Sequence, residues 1–397
     1  MELLLPCATP LITFKRRESF EAVASISTLA ASIISRAETP MVRVKSTGSA
    51  KNKSGSVPTV KQVAERAGVS TASVSRALSG SRGVQESTRA RIMKVAQELS
   101  YQPNRAARDL RVRHSRTIGV LIPDIQNPFF TSLVCGVEEV LCNTEYSLLL
   151  AIYNEQPEQE ERRLKLFRAE GVRGLIFAAS RTPSGLYKDL VNDGIGLVAV
   201  SRDVRGIAAD RVTVANQEGA YDAVSHLIRQ GHRSIAMING PSALTTARER
   251  ALGFERAMRD ANLPIQESMV RNTEFNHSAG YAEMRKLLLS SAPPTAVFTA
   301  SNLLTLGALQ AIHELHRAIP KEIAIVGFDE MPWAMSLRPP LTTIAQPSFE
   351  VGRTAANLLM DRLRDPTLPL RRVVLETKLI VRSSCGFKSR NQSQSAS

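Results

Sequence analysis

TVKQVAERAGVSTASVSRALSG, residues 59–80, reads as two short helices with a glycine between them. Thr59 and Gln62, three residues apart, have the spacing of a capping box, which satisfies two backbone N–H groups at a helix start. Val60, Val63, Ala64 and Ala67 recur at helical spacing and make one apolar face. Gly68 stops that helix, because a residue without Cβ enters the left-handed region without a steric cost. Ser70 caps the next helix, whose Val74, Ala77 and Leu78 face inward. A third helix follows, with Ile92, Val95, Ala96 and Leu99 spaced i, i+3, i+4, i+7. Three short helices sharing an apolar face form a small bundle, and a helix, a glycine turn and a second helix make the helix-turn-helix pattern. The second helix turns Thr71, Ala72, Ser75 and Arg76 outward. Small polar groups and one fork-shaped cation suit base edges and phosphates. A helical hairpin alone can also be a mere packing unit, so the charge around it matters.

The chain has 397 residues and a net charge of +14. Residues 57–113 hold 11 Lys/Arg against 4 Asp/Glu, whereas residues 114–397 hold 32 against 29. A basic head on a nearly neutral body is the footprint of a nucleic-acid binder, since a merely basic surface would spread its charge. The length suits two or three domains. At 43% hydrophobic and 22% charged, the composition is that of soluble globular protein. No uncharged apolar run is long enough to span a bilayer. Cys7, Cys135, Cys142 and Cys385 form no CxxC pair and no zinc spacing with histidine, which predicts free thiols in a reducing cytoplasm.

On either side of the bundle the chain changes character. Residues 1–56 carry 8 Lys/Arg against 4 Asp/Glu. The run AVASISTLAASIIS (22–35) resembles an export signal, but Glu18 and Glu21 interrupt its basic approach. The segment reads instead as a disordered or mis-started extension, ending in the polar, Gly/Ser-rich KSTGSAKNKSGS (45–56). After the bundle, YQPNRAARDLRVRHS (101–115) begins with Pro103, which ends the third helix. Asn104 can cap a short basic helix carrying Arg105, Arg108 and Leu110. A helix so short is unstable alone in water. Folding on DNA, with Leu110 wedged into the minor groove, explains both its charge and its leucine. A solvated linker with Leu110 against the body is the alternative.

From residue 116 the period changes. TIGVLIPD (117–124), YSLLLAIY (146–153), GLIFAAS (174–180), GLVAVSRD (196–203), RVTVAN (211–216), SIAMING (234–240), TAVFTAS (295–301) and EIAIVGFDE (322–330) are short apolar runs. Stretches of helical period lie between most of them. Alternating strand and helix predicts parallel sheets flanked by helices, and the repetition predicts two lobes of similar build. Ligands of such folds bind beyond the carboxyl ends of the strands. No GxGxxG follows a strand, and neither a P-loop nor a GxSxG elbow occurs. His313 and His316 lack the HExxH pattern. The chain is therefore read as a non-enzyme, with no metal or cofactor.

Several stretches in order, TVKQVAERAGVSTASVSRAL, YQPNRAARDLR, IGVLIPDIQNPFF, LIRQGHRSIAMINGP, ARERALGF, VGFDE and PPLTTIAQP, resemble the LacI/GalR family of bacterial transcriptional regulators. The resemblance covers roughly residues 57–386. It implies a helix-turn-helix domain (57–103), a hinge helix and linker (104–115), and a two-lobed core like a periplasmic sugar-binding protein (116–386), before a polar tail (387–397). It also implies a repressor that binds a pseudo-palindromic operator, symmetric about a central CG step, as a dimer. The tail has no heptad pattern, so no tetramerising coiled coil is expected. In this resemblance Thr71, Ala72 and Arg76 read bases. Thr59, Ser70 and Ser75 contact phosphates, while Asn104, Arg108 and Leu110 belong to the hinge.

The resemblance also assigns an effector cleft. Phe129 and Phe130 stand at its mouth, Arg248 grips the ligand, Phe275 packs on its face, and Asp329 accepts from its hydroxyls. Asn302 stands where many members carry an aspartate, and Gln346 lies at a crossover between lobes. Ser201 and Ala215 also replace residues that are often acidic. Three neutral positions predict a cleft that tolerates an anionic ligand such as a sugar acid. An exported solute-binding protein would share the core but lack the head.

Overall fold

A computed structural model describes residues 58–78, 83–101, 116–180, 184–204 and 206–386. They fall into two compact units divided between Gln102 and Pro103.

The first unit is a three-helix bundle of α1 (Val60–Ala67), α2 (Thr71–Leu78) and α3 (Glu86–Glu98). The capping box forms as its sequence predicts. Gln62 N donates to Thr59 Oγ1 at 3.4 Å, and Thr59 N donates to Gln62 Oε1 at 2.8 Å. Gly68 ends α1 at φ 63°, where a β-branched residue would be strained. Ser70 Oγ accepts from Ser73 N at the start of α2. Val63, Val74 and Ile92 are fully buried where the helices meet. Arg89 of α3 donates from Nη1 to Ala77 O at 2.8 Å, capping a carbonyl of the last turn of α2.

The second unit contains two six-stranded sheets. In lobe 1 the order is β11 (Arg372–Leu375), β5 (Asp210–Val214), β4 (Gly196–Val200), β3 (Gly174–Phe177), β1 (Thr117–Ile122) and β2 (Ser147–Ile152), with every pair parallel. In lobe 2 it is β12 (Lys378–Ile380), β10 (Thr342–Ala345), β9 (Ala324–Phe328), β8 (Ala296–Thr299), β6 (Ile235–Asn239) and β7 (Val270–Asn272). There only β12 runs antiparallel, against β10.

Both faces of each sheet are covered, which is why the strands read as continuous apolar runs. Along β1, Ile118, Val120 and Ile122 pack with α4 (Pro128–Leu141) and α11 (Ser348–Arg364). Leu121, on the opposite face, packs with α5 (Pro157–Ala169) and α6 (Leu186–Asn192). Each such side chain contributes about 1.5–3 kcal/mol by leaving water. Lobe 2 repeats the arrangement, with α7 (Asn216–Arg229) and α8 (Thr245–Asp260) on one face. On its other face lie α9 (His277–Leu288) and α10 (Asn302–Glu314).

The chain passes between lobes three times, from β5 to α7, from β10 to α11 and from β11 to β12. Two of the passages touch. Ala215 N donates to Leu375 O at 2.9 Å, and Thr377 Oγ1 donates to Ala215 O at 3.4 Å. Ala215 thus lies in the braid joining the lobes.

Candidate functional site

In the head, Thr59, Ser70, Thr71, Ala72 and Arg76 are exposed and Ser75 is half-buried. Val74 and Ala77 fix which side of α2 faces the bundle, so Ala72 and Arg76, one turn apart, lie on the other, and Thr71 is exposed at the helix start. Arg76 Nε donates to Ala72 O at 3.4 Å, one turn back. Asn104, Arg108 and Leu110 lie outside the described residues.

In the core, a cavity of about 500 Å³ opens between the lobes at the carboxyl ends of the strands. Phe129, Phe130, Phe275, Asp329 and Gln346 all line it, as the resemblance implies. Phe129 and Phe130 pack edge to face, 5.0 Å between centroids. Phe275 lies where a Cβ on Gly240 would meet its ring at 2.1 Å, so only glycine lets the ring sit there. Asp329 is nearly buried and held on both oxygens: Oδ2 accepts from Asn302 N at 2.9 Å and Oδ1 from Gln346 Nε2. Its carboxylate therefore caps α10 while it borders the cleft.

Arg248 is not among the lining residues. It is exposed, donates from Nη1 to Ala243 O at 3.1 Å, and lines a separate groove with Asp203, Asn239 and Arg372. Two residues along a helix are separated by roughly 200°, so Arg248 and Arg250 occupy opposite sides of α8. Arg250 is the cleft arginine. Its Nε donates to Asn216 Oδ1 at 2.9 Å and its Nη1 to Ala300 O at 2.5 Å. Its guanidinium lies 3.7 Å over the Phe328 ring. Burial pulls its pKa down to about 10, against the pull of Asp329 and Glu249, and it stays charged at neutral pH.

Asn302 is buried beneath the cleft rather than lining it. Its Nδ2 reaches across to Asn127 Oδ1 at 2.8 Å. Its Oδ1 has no hydrogen-bond partner among the described residues.

The expected shortage of acid is corrected. Of the three neutral positions only Ser201 lines the cleft, and Asp124, Glu155, Glu274 and Asp329 put four carboxylates around two guanidiniums, Arg202 and Arg250. Glu155 and Arg202 form a fork: Arg202 Nη1 donates to Glu155 Oε2 at 3.0 Å, and Nη2 donates to Oε1. Nη1 also reaches Tyr153 Oη at 2.9 Å and Ala179 O at 2.7 Å. Burial alone would lower the pKa of Arg202, but Tyr153, Glu155 and Glu160 more than reverse this and raise it. Neither Arg202 nor Glu155 carries a distinctive local spacing, which is why a reading of the sequence passes over them.

Seven non-glycine residues have positive φ among the described residues, and four of them, Asn154, Glu155, Ser201 and Asp329, line this cleft. Such conformations store about 1–3 kcal/mol each and gather at ligand sites.

Residues 59–104 match the lacI family of bacterial regulatory proteins, and residues 224–385 match a periplasmic binding protein-like domain. The chain is 33% identical over 326 residues to the HTH-type transcriptional repressor CytR of Escherichia coli K12, covering 82% of this chain and 96% of that protein. The transcriptional regulator CelR in complex with cellobiose superposes with a TM-score of 0.64 at 32% identity, over 82% of this chain and 99% of that one. A LacI family regulator from Enterococcus faecium with bound ribose gives a TM-score of 0.61 at 31% identity, over 68% and 98%. These relatives are transcriptional regulators rather than enzymes. The chain belongs to the LacI family of bacterial transcriptional regulators.

Proposed function

We propose that this regulator is a repressor that binds a pseudo-palindromic operator as a dimer and releases or tightens on it when a small hydroxylated ligand enters the core. The observation that carries the ligand half is the cleft between lobes, with three phenylalanines, a stacked Arg250 and an anchored Asp329 around about 500 Å³. That volume is within the ~300–1,000 Å³ usual for small-molecule sites. Aromatic faces suit the C–H faces of a sugar ring, and fixed carboxylates and guanidiniums suit its hydroxyls. Four carboxylates against two guanidiniums favour a neutral sugar over a sugar acid. Similar regulators hold cellobiose or ribose, which makes those two compounds the natural probes.

A ligand that contacts both lobes favours whichever lobe angle completes its contacts. Lobe 1 follows the hinge segment in sequence, so a change of angle is passed to Asn104, Arg108 and Leu110. An inducer favours the arrangement in which the hinge helices do not fold on DNA, and a corepressor favours the other. In the head, Thr71, Ala72 and Arg76 read bases, while Thr59, Ser70 and Ser75 hold phosphates. No helix of the described residues is long and apolar enough to cross a membrane. A cytoplasmic site of action, on the chromosome, follows from the same proposal.

The test is selection of bound duplexes from a random pool by the full-length protein. Enrichment of a two-fold symmetric motif, lost in Arg76→Ala, is the expected result. No enriched motif, or the same motif with Arg76→Ala, overturns the assignment of the reading helix.

A further inference from the structure

We infer that Glu155 is the specificity-determining acid of the cleft, selecting a neutral polyhydroxyl ligand over an acidic one, and that Arg202 is the residue that positions it. This rests on the proposed sugar-type effector site.

Glu155 is placed at some conformational cost. It follows β2 in a tight turn whose two central residues, Asn154 and Glu155, have φ of 51° and 56°, closed by Gln156 N donating to Tyr153 O at 2.9 Å. Asparagine and glycine take that conformation readily, and glutamate does not. The turn itself therefore gives no reason for a glutamate. What holds the carboxylate is Arg202, whose side chain is 6% exposed while that of Glu155 is 34% exposed. The guanidinium is itself fixed by Tyr153 Oη and Ala179 O. One side of the carboxylate is thus locked from behind and the other borders the cleft. Two carboxylate oxygens offer about four lone-pair directions, and a bidentate arginine takes two. The remaining two accept from ligand hydroxyls.

The other lining acids are placed differently. Both oxygens of Asp329 already accept from Asn302 N and Gln346 Nε2. Asp124 Oδ1 accepts from Gln126 N within its own loop. Glu155, unlike Asp329 and Asp124, is held by the fork of a buried arginine. Its neighbour across the fork, Arg202, directly follows Ser201, so Glu155 brings a carboxylate to the wall beside the position where Ser201 has none. A ligand carboxylate there would face Glu155 with the guanidinium already engaged.

The experiment is calorimetric titration of the full-length protein with ribose, cellobiose and gluconate, for wild type, Glu155→Gln and Arg250→Ala. Glutamine keeps an acceptor for Arg202, and an unchanged melting temperature checks that the turn survives. Wild type is expected to bind one of the two neutral sugars at least ~100-fold more tightly than gluconate. Glu155→Gln should weaken the neutral sugar by ~10-fold and narrow its advantage over gluconate. A merely structural role would leave that ratio unmoved. A sugar lost in Arg250→Ala but bound by Glu155→Gln with the wild-type affinity and ratio overturns the inference and leaves the cleft assignment standing. Preference of wild type for gluconate also overturns it. Failure of wild type to bind either neutral sugar counts against the sugar-type cleft itself.

Discussion

Asn302 Nδ2 donates to Asn127 Oδ1 at 2.8 Å, and this bond joins the two lobes at the helix starts that face each other across the cleft. Asn127 precedes α4 and also accepts from Phe129 N at 3.0 Å. Asn302 opens α10 and donates its backbone N–H to Asp329. Because Asp329 also holds Gln346, next to the β10–α11 passage, the network runs from the cleft mouth to the braid. Asn302→Asp removes the donor and sets a second carboxylate beside Asp329. Sugar affinity, measured by calorimetry, should fall by ~3–10-fold, the worth of one neutral hydrogen bond, with the fold intact. Unchanged affinity would show that the bond does not preorganise the lobes.

Arg250 and Arg248 make a matched pair for a second prediction. Arg250→Ala removes the guanidinium that lies over Phe328 and borders the ligand space, and should weaken sugar binding at least ~10-fold. Arg248→Ala should leave it within about twofold, because its side chain serves the other groove. The reverse order would restore Arg248 to the cleft.

Asp210 gives a stability prediction with a definite pH sign. It is fully buried and clasps lobe 1 together, accepting from Arg362 Nε and Nη2, both at 2.9 Å, and from Arg371 N at 2.7 Å. Burial alone would raise its pKa, but the hydrogen bonds from Arg362 and Arg371 outweigh it and hold the value below the ordinary 3.8. A carboxylate lowered in the folded state stabilises above its unfolded pKa, and that contribution is lost as pH falls through the folded value. Asp210→Asn should cost about 3–5 kcal/mol at pH 7 by leaving the largely buried Arg362 without its carboxylate, while Arg371 keeps Asp361. The gap to wild type in denaturant unfolding should shrink below pH 3.8. A gap that persists in acid would mean that packing, not charge, is lost.

In the head, Thr59→Ala removes one half of the capping box and should cost about 1 kcal/mol. Hydrogen exchange of the α1 amides reads this directly. Gly68→Val should cost more, since its φ of 63° excludes a β-branched residue. Equal exchange in wild type and both variants would mean that these ends do not limit the stability of the bundle.

The head and the alternating body were legible because periodicity and caps are local. Thr59, Gly68, Val74 and Ile92 announce their places within a few residues of sequence. The eight apolar runs also became strands. β7, β10, β11 and β12 did not announce themselves: they are three or four residues long, and β7, β11 and β12 are only partly buried, so they lack the continuous apolar run that marks the equally short β3 and β8. Three of those four lie at the passages between lobes, where chain segments far apart in sequence pair. Within the cleft, the aromatic rings, Asp329 and Gln346 followed from resemblance. Arg250 was missed for Arg248 because two arginines two residues apart look alike in a string but not on a helix. Glu155 and Arg202 were missed because their pairing spans 47 residues and depends on how β2 and β4 end.

The most direct measurement is fluorescence-anisotropy titration of the full-length protein against a symmetric duplex with a central CG step, beside a scrambled duplex, at physiological salt. It is repeated with ribose and with cellobiose, for wild type and Arg250→Ala. The expected result is at least ~10³-fold tighter binding to the symmetric duplex. One sugar should shift that affinity by ~5–150-fold in wild type and not in Arg250→Ala. Equal, salt-sensitive binding to both duplexes, unmoved by either sugar, would contradict an effector-controlled, sequence-specific regulator and leave only electrostatic attachment to DNA.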